Sequence, residues 1–136
     1  MDEKAIRSRY VELFGVVPDS WRLRQDIARQ AGRETALDAI ENLRETLIHG
    51  NPLDRKVQQL VHFGMLLVRS EAAAAELHAR AALVAGATVA ELHGVLETAA
   101  IVAGMPAFSL GVQAVTRALA IPAQSLDTEK NNGLTG

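Results

Sequence analysis

Residues 81–121 carry only three charged side chains, Glu91, Glu97 and Arg117, in a stretch broken by Gly86, Gly104 and Pro106. No alternation of apolar and polar residues runs through it, so strands with one wetted face are not expected. Alanine-rich segments of 12 to 16 residues between glycine and proline stops are the pattern of buried helices. Thr88 and Glu91 form a Thr-x-x-Glu capping box, which opens one helix at residue 88 and carries it to about 102. Pro106 sits near the first position of the next, over residues 106–119, where a missing N–H costs nothing. A domain of 136 residues cannot hide every side of two such helices by itself. Part of this surface is therefore expected to meet another subunit.

The rest of the chain is read as further helices. Ile6, Tyr10, Leu13 and Phe14 recur at helical spacing over residues 2–14, and Gly15-Val16-Val17-Pro18 ends that helix. Asp19 or Ser20 caps a helix over residues 19–31, with Trp21, Leu23 and Ile27 as its anchors. Residues 34–48 place Leu37, Ile40, Leu43, Leu47 and Ile48 on one stripe, with Asp38, Glu41, Arg44 and Glu45 outside. His49-Gly50-Asn51-Pro52 is a stop in which Gly50 is expected to take the left-handed cap. Asp54 is expected to cap a helix over residues 54–68, Arg69 and Ser70 to form a corner, and residues 71–85 to form the following helix up to Gly86. The fold class is all-α, a single-domain bundle of about six helices. Residues 1–52 form an N-terminal helical part, 53–120 the core, and 121–136 a frayed tail.

Charge and composition exclude several functions. A net charge of −2 and a pI near 6.1 do not supply the basic surface that nucleic acid requires. There is no cysteine, so disulfides and thiol catalysis are excluded, which agrees with a cytoplasmic setting. The charged start MDEKAIRSR does not read as a signal peptide. Residues 98–116 lack charge, but Gly104, Pro106, Ser109, Gly111 and Gln113 interrupt them, so a buried helix pair is expected and not a membrane span.

Across residues 53–107 the chain resembles the carboxymuconolactone decarboxylase family and its alkylhydroperoxidase D-type relatives. The residues concerned are Leu53-Asp54, His78, Ala81-Ala82-Leu83, Gly86-Ala87-Thr88, Glu91, Val95-Leu96, Ala99-Ala100 and Gly104-Met105-Pro106-Ala107. The resemblance implies an alkylhydroperoxidase D-like helical bundle that assembles as a trimer or hexamer. It also implies decarboxylation of a small carboxylated lactone or related acid without a cofactor. In the redox branch a Cys-x-x-Cys-x-x-x-His run follows a helix that carries a glutamate. By spacing, those cysteines fall on Glu71 and Ala74, the histidine on His78 and the glutamate on Gln59, so only the histidine is kept. Peroxide reduction through a thiolate is thereby excluded.

Spacing adds a second histidine. His62 and His78 stand eight residues before and after Ser70, so an antiparallel helix pair turning there brings them level, with Gln59 one turn from His62. The candidate catalytic residues are His78, Gln59 and His62. Glu71, two turns before His78, together with Arg55 and Arg80, are candidates to bind an anionic substrate. His78 would donate a proton or stabilise an oxyanion, with Gln59 and His62 orienting it. Each has a plainer reading: a buried histidine can be a satisfied core residue, Glu71 a carboxylate at a helix start, and Arg55, Arg69 and Arg80 solvated side chains. His49 and His93 read as turn and surface residues. The spacing matches no metal pattern, so no metal is expected. The other reading of the whole chain is a non-catalytic oligomeric binding or structural protein on the same scaffold.

Overall fold

The structure is a computed structural model that describes residues 2–121; the expected tail falls almost wholly outside the described residues. Those residues form seven α-helices and no strand: α1 (Glu3–Phe14), α2 (Asp19–Ala31), α3 (Glu34–Arg44), α4 (Arg55–Val68), α5 (Ala72–Val84), α6 (Val89–Ala103) and α7 (Met105–Ala120). A π-helical turn, Glu45–His49, continues α3. Helices α4 to α7 make a four-helix bundle in which α4 and α7 each pack on both α5 and α6. Helix α1 docks on the outside of α5, and α2 packs on α3.

Two apolar clusters result. Phe63, Leu67, Ala75, Ala79, Ala82, Leu92, Leu96, Ala99, Ala107, Ala114 and Ala118 fill the bundle. Ile6, Tyr10, Leu13, Phe14, Val17 and Trp21 fill the second, between α1, α2 and α5, where Ala81 forms the floor. Helix α5 is thus covered on two sides, which explains its alanines: small side chains let a helix be approached from both directions. Gly111 makes the closest approach in the bundle. A Cβ there would collide with Leu96 and lie 3.0 Å from Leu67 Cδ1.

Helix ends follow local chemistry in part. Thr88 Oγ1 accepts from Glu91 N at 3.0 Å, and Thr88 N donates to Glu91 Oε1 at 2.9 Å, completing the capping box. Gly15 ends α1 at φ +76°, and its bare Cα lies against Arg80 and Val84 of α5. Other expectations are corrected. Asp54 occupies the N-cap of α4 but its side chain makes no capping bond, and Pro18, not Asp19 or Ser20, stands at the N-cap of α2. Gly50 has φ −91°, because the wide turn closes through Gly50 N to Glu45 O instead of a left-handed cap.

The N-terminal stripes also depart from expectation. Trp21 and Leu37 are buried, but Leu23, Ile27, Ile40, Leu43 and Leu47 are exposed. Periodicity marked an apolar face on α2 and α3 that nothing among the described residues covers. Glu41, read as an outer residue, is only 5 % exposed.

Candidate functional site

The corner between α4 and α5 sets the geometry. Ser70 takes a left-handed conformation, φ 60°, which is uncommon for a residue with a side chain. It lets Ser70 N reach Leu67 O at 3.1 Å and Glu71 N reach Leu66 O at 3.0 Å. The helices then run back to back, and His62 lies level with His78. Their rings stack with centroids 3.5 Å apart and planes 24° from parallel. Gln59, fully buried one turn before His62, accepts a hydrogen bond from His78 Nδ1 through Oε1 at 2.7 Å.

With the amide turned this way, its oxygen towards the ring, the bond sets the tautomer. An amide oxygen can only accept, so the proton sits on Nδ1 and the neutral ring keeps its lone pair on Nε2. The other end of the amide, Gln59 Nε2, is buried with no hydrogen-bond partner among the described residues. Phe14 of α1 covers His78 edge-on, with centroids 5.2 Å apart. Tyr10 stacks on Phe14 and donates its hydroxyl proton to Glu41 Oε1 at 2.9 Å, while Arg24 Nη2 donates to the same hydroxyl at 2.9 Å. Arg44, the last residue of α3, lies with its guanidinium carbon 5.4 Å from the centre of the Tyr10 ring.

Electrostatics keep both imidazoles uncharged. Burial is the main cause that pushes the His78 pKa down, to about 3; the His62 ring and the Arg44 cation push in the same direction. His62 is lowered by burial and then by Arg44. Two imidazoles in stacking contact also cannot both hold a proton without strong repulsion. At pH 7 the imidazolium form of His78 is populated on the order of one part in ten thousand. The resting side chain is therefore a neutral imidazole and a hydrogen-bond acceptor at Nε2. It becomes an acid only after something beside it favours a positive charge.

Three of the residues singled out from sequence, His78, Gln59 and His62, come together; the other three lie apart from them. Glu71 is exposed at the N-cap of α5 and 3.9 Å from Arg69. Arg55 donates to His49 Nδ1 at 3.1 Å and lies 4.0 Å from Glu12. Arg80 is half-buried against Gly15. The residues that sequence reasoning missed are Phe14, Tyr10, Glu41 and Arg44. A faint signal existed in the spacing of Tyr10 and Phe14, four apart on a helix, but nothing in the pattern said which helix they would cover.

His78 lines neither of the two hollows that follow. An open groove of about 790 Å³ runs between α4 and α6 and is lined by Leu60, Val61, Gly64, Met65, Val95 and Val102 among others. It lies on the side of α4 turned away from Gln59 and His62. A crevice of about 10 Å³ under Tyr10, Glu41 and Arg44 is at the threshold for one water molecule. Phe14 occupies the space over His78 that a cavity would need.

The fold and site together define a class: an all-helical bundle in which a buried, neutral histidine stacks on a half-buried one, with no thiol. The model of the carboxymuconolactone decarboxylase family matches residues 34–117, more than half of the chain, and the chain belongs to that family. The uncharacterized protein MJ1511 of Methanocaldococcus jannaschii is 31% identical over 78 residues, which are 57% of this chain and 73% of that protein. No solved structure matches the chain significantly. The family match begins at Glu34, so α1 and α2, which supply Tyr10, Phe14 and Arg24 around the site, lie outside it. Among the described residues no helix is long and apolar enough to cross a membrane.

Proposed function

We propose that this protein is a cofactor-independent decarboxylase of a small carboxylated lactone or related acid, acting in the cytoplasm as a homo-oligomer. The observation that carries the reading is the buried His78, its Nδ1 proton held by Gln59 and its other face stacked on His62. Loss of carbon dioxide leaves an electron pair that a conjugated lactone carbonyl absorbs, so the substrate is its own electron sink. The protein has to hold the carboxylate away from water, stabilise the oxyanion and return one proton to carbon. An anion arriving beside two neutral imidazoles raises their pKa, so binding draws a proton from solvent onto Nε2 of His78. That proton is then delivered to the carbon that loses carbon dioxide.

The test is carbon dioxide release from a panel of carboxylated lactones, with heat-denatured protein as the blank. Saturable release from at least one member supports the proposal; none above the blank across the panel counts against it. The covering of His78 by Phe14, and an uncharged Gln59 where redox relatives carry glutamate, favour a second reading: a non-catalytic binding or structural protein on the same scaffold. Ligand binding without release would support that one. Met65, Ile101, Val102 and Met105 are each more than 60 % exposed, an apolar surface suited to a neighbouring subunit. Light scattering at micromolar concentration is expected to report a trimer or hexamer, and a stable monomer would contradict this use of the surface.

A further inference from the structure

Four arginines, Arg9, Arg24, Arg44 and Arg55, lie on or beside the crevice that Tyr10, Glu41 and His49 line, and three are already engaged. Arg9 Nε lies 3.0 Å from Glu45 Oε2, Arg24 donates to the Tyr10 hydroxyl, and Arg55 reaches His49 and Glu12. Arg44 has no ion pair with any carboxylate among the described residues. The two acids nearest to it in sequence are committed elsewhere, Glu41 to Tyr10 and Glu45 to Arg9. Its guanidinium is half-buried over the Tyr10 ring, an arrangement that holds the planar group and leaves its N–H fork unused. It also stands where the helix changes pitch: the π-helical turn begins at the next residue, and such turns are frequent at functional sites. Its charge reaches both His62 and His78.

Tyr10, under Arg44, stacks on Phe14, and Phe14 covers His78, so an unpaired cation stands one layer of rings from the imidazoles, unfavourable in an empty site and favourable once an anion enters. We propose that Arg44 is the carboxylate-binding residue of this site, gripping an anionic group through its free fork against the Tyr10 ring, on the α3 side of the Phe14 that covers His78. The sequence had offered Arg55 and Arg80 for this task; the first is engaged and the second lies against Gly15. The inference rests on the acid–base reading of the histidine pair but does not require that the bound acid lose carbon dioxide. The groups facing His78 are His62 and Gln59 from α4 and Phe14 from α1, with Arg44 at the end of α3 acting through its charge.

The experiment uses the full chain labelled with ¹⁵N-histidine, with benzoate as the anionic probe and methyl benzoate as its uncharged counterpart. Benzoate is expected to shift the His62 and His78 ring signals saturably and to raise their pKa, and methyl benzoate to do neither. Arg44→Gln should weaken benzoate binding at least tenfold, the range for losing a charge-assisted, two-pronged hydrogen bond. Arg44→Lys should fall between, since it keeps the charge and loses the fork. With no ligand present, Arg44→Gln should raise both imidazole pKa values, because a cation that depressed them is gone. Equal benzoate affinity in wild type and Arg44→Gln would overturn the proposal, as would wild-type rings that ignore benzoate. If Arg44→Gln does not fold, the comparison of Arg44→Lys with wild type decides, and identical affinities overturn the proposal. Arg44-dependent binding of benzoate in a protein that decarboxylates nothing would keep this inference and remove the decarboxylase reading.

Discussion

His78→Asn is expected to lower turnover of any true substrate by about a hundredfold or more, the usual contribution of a positioned acid–base group. Asparagine keeps a polar side chain near Gln59, so at pH 7 the loss of stability should be modest, on the order of 1 to 2 kcal/mol. The pH dependence separates the two roles. The native pKa of His78 is lowered to about 3, whereas in the unfolded chain it is near the ordinary 6.5. Below about pH 6.5 the unfolded state takes a proton that the native state refuses, so wild-type stability falls as the pH drops toward 3. The slope for one such group is about 1.4 kcal/mol per pH unit at its steepest. The variant lacks this group and should lose less stability between pH 7 and pH 5 in urea titrations. Intact activity together with a large loss of stability at pH 7 would make His78 a packing residue and nothing more.

Gly111→Val is expected to cost about 3 kcal/mol or more, and Gly111→Ala about 1 to 3 kcal/mol. The added carbon meets Leu96 and Leu67, which are 3 % and 0 % exposed, so neither leucine can swing into solvent to make room. Helix α7 would have to move away from α6 and α4, opening the bundle along its length. Urea midpoints at neutral pH measure the effect. An unchanged midpoint for Gly111→Val would mean that the helices do not approach as closely as the structure shows.

The helical bundle was legible because its signals are local. The capping box at Thr88 and Glu91, the stop at Gly86 and the break at Gly104 and Pro106 each act within one turn of chain, and all appear where expected. The level placement of His62 and His78 was also legible, since two regular helices around a two-residue corner leave little freedom. What was not legible depends on how α1 to α3 fold back. Periodicity assigns a residue to a face but not to a partner. Leu23, Ile27, Ile40, Leu43 and Leu47 therefore looked like core and are exposed, while Glu41 looked like surface and is buried on Tyr10. Phe14 and Arg44 reach the site only through that docking, so no spacing within α4 and α5 could announce them. The same docking sets the charge state: buried under Phe14 and within reach of the Arg44 charge, His78 rests neutral where an exposed histidine would titrate near neutrality.

At rest His78 is a neutral imidazole, its proton held on Nδ1 by Gln59. Long-range ¹H–¹⁵N correlation spectra of the histidine rings, recorded from pH 8 down to pH 4, test it directly. One His78 tautomer is expected, with the proton on Nδ1 and unchanged across that range, because protonation waits until about pH 3. A His78 ring that protonates near pH 6.5, or that exchanges between tautomers as a free imidazole does, would contradict it.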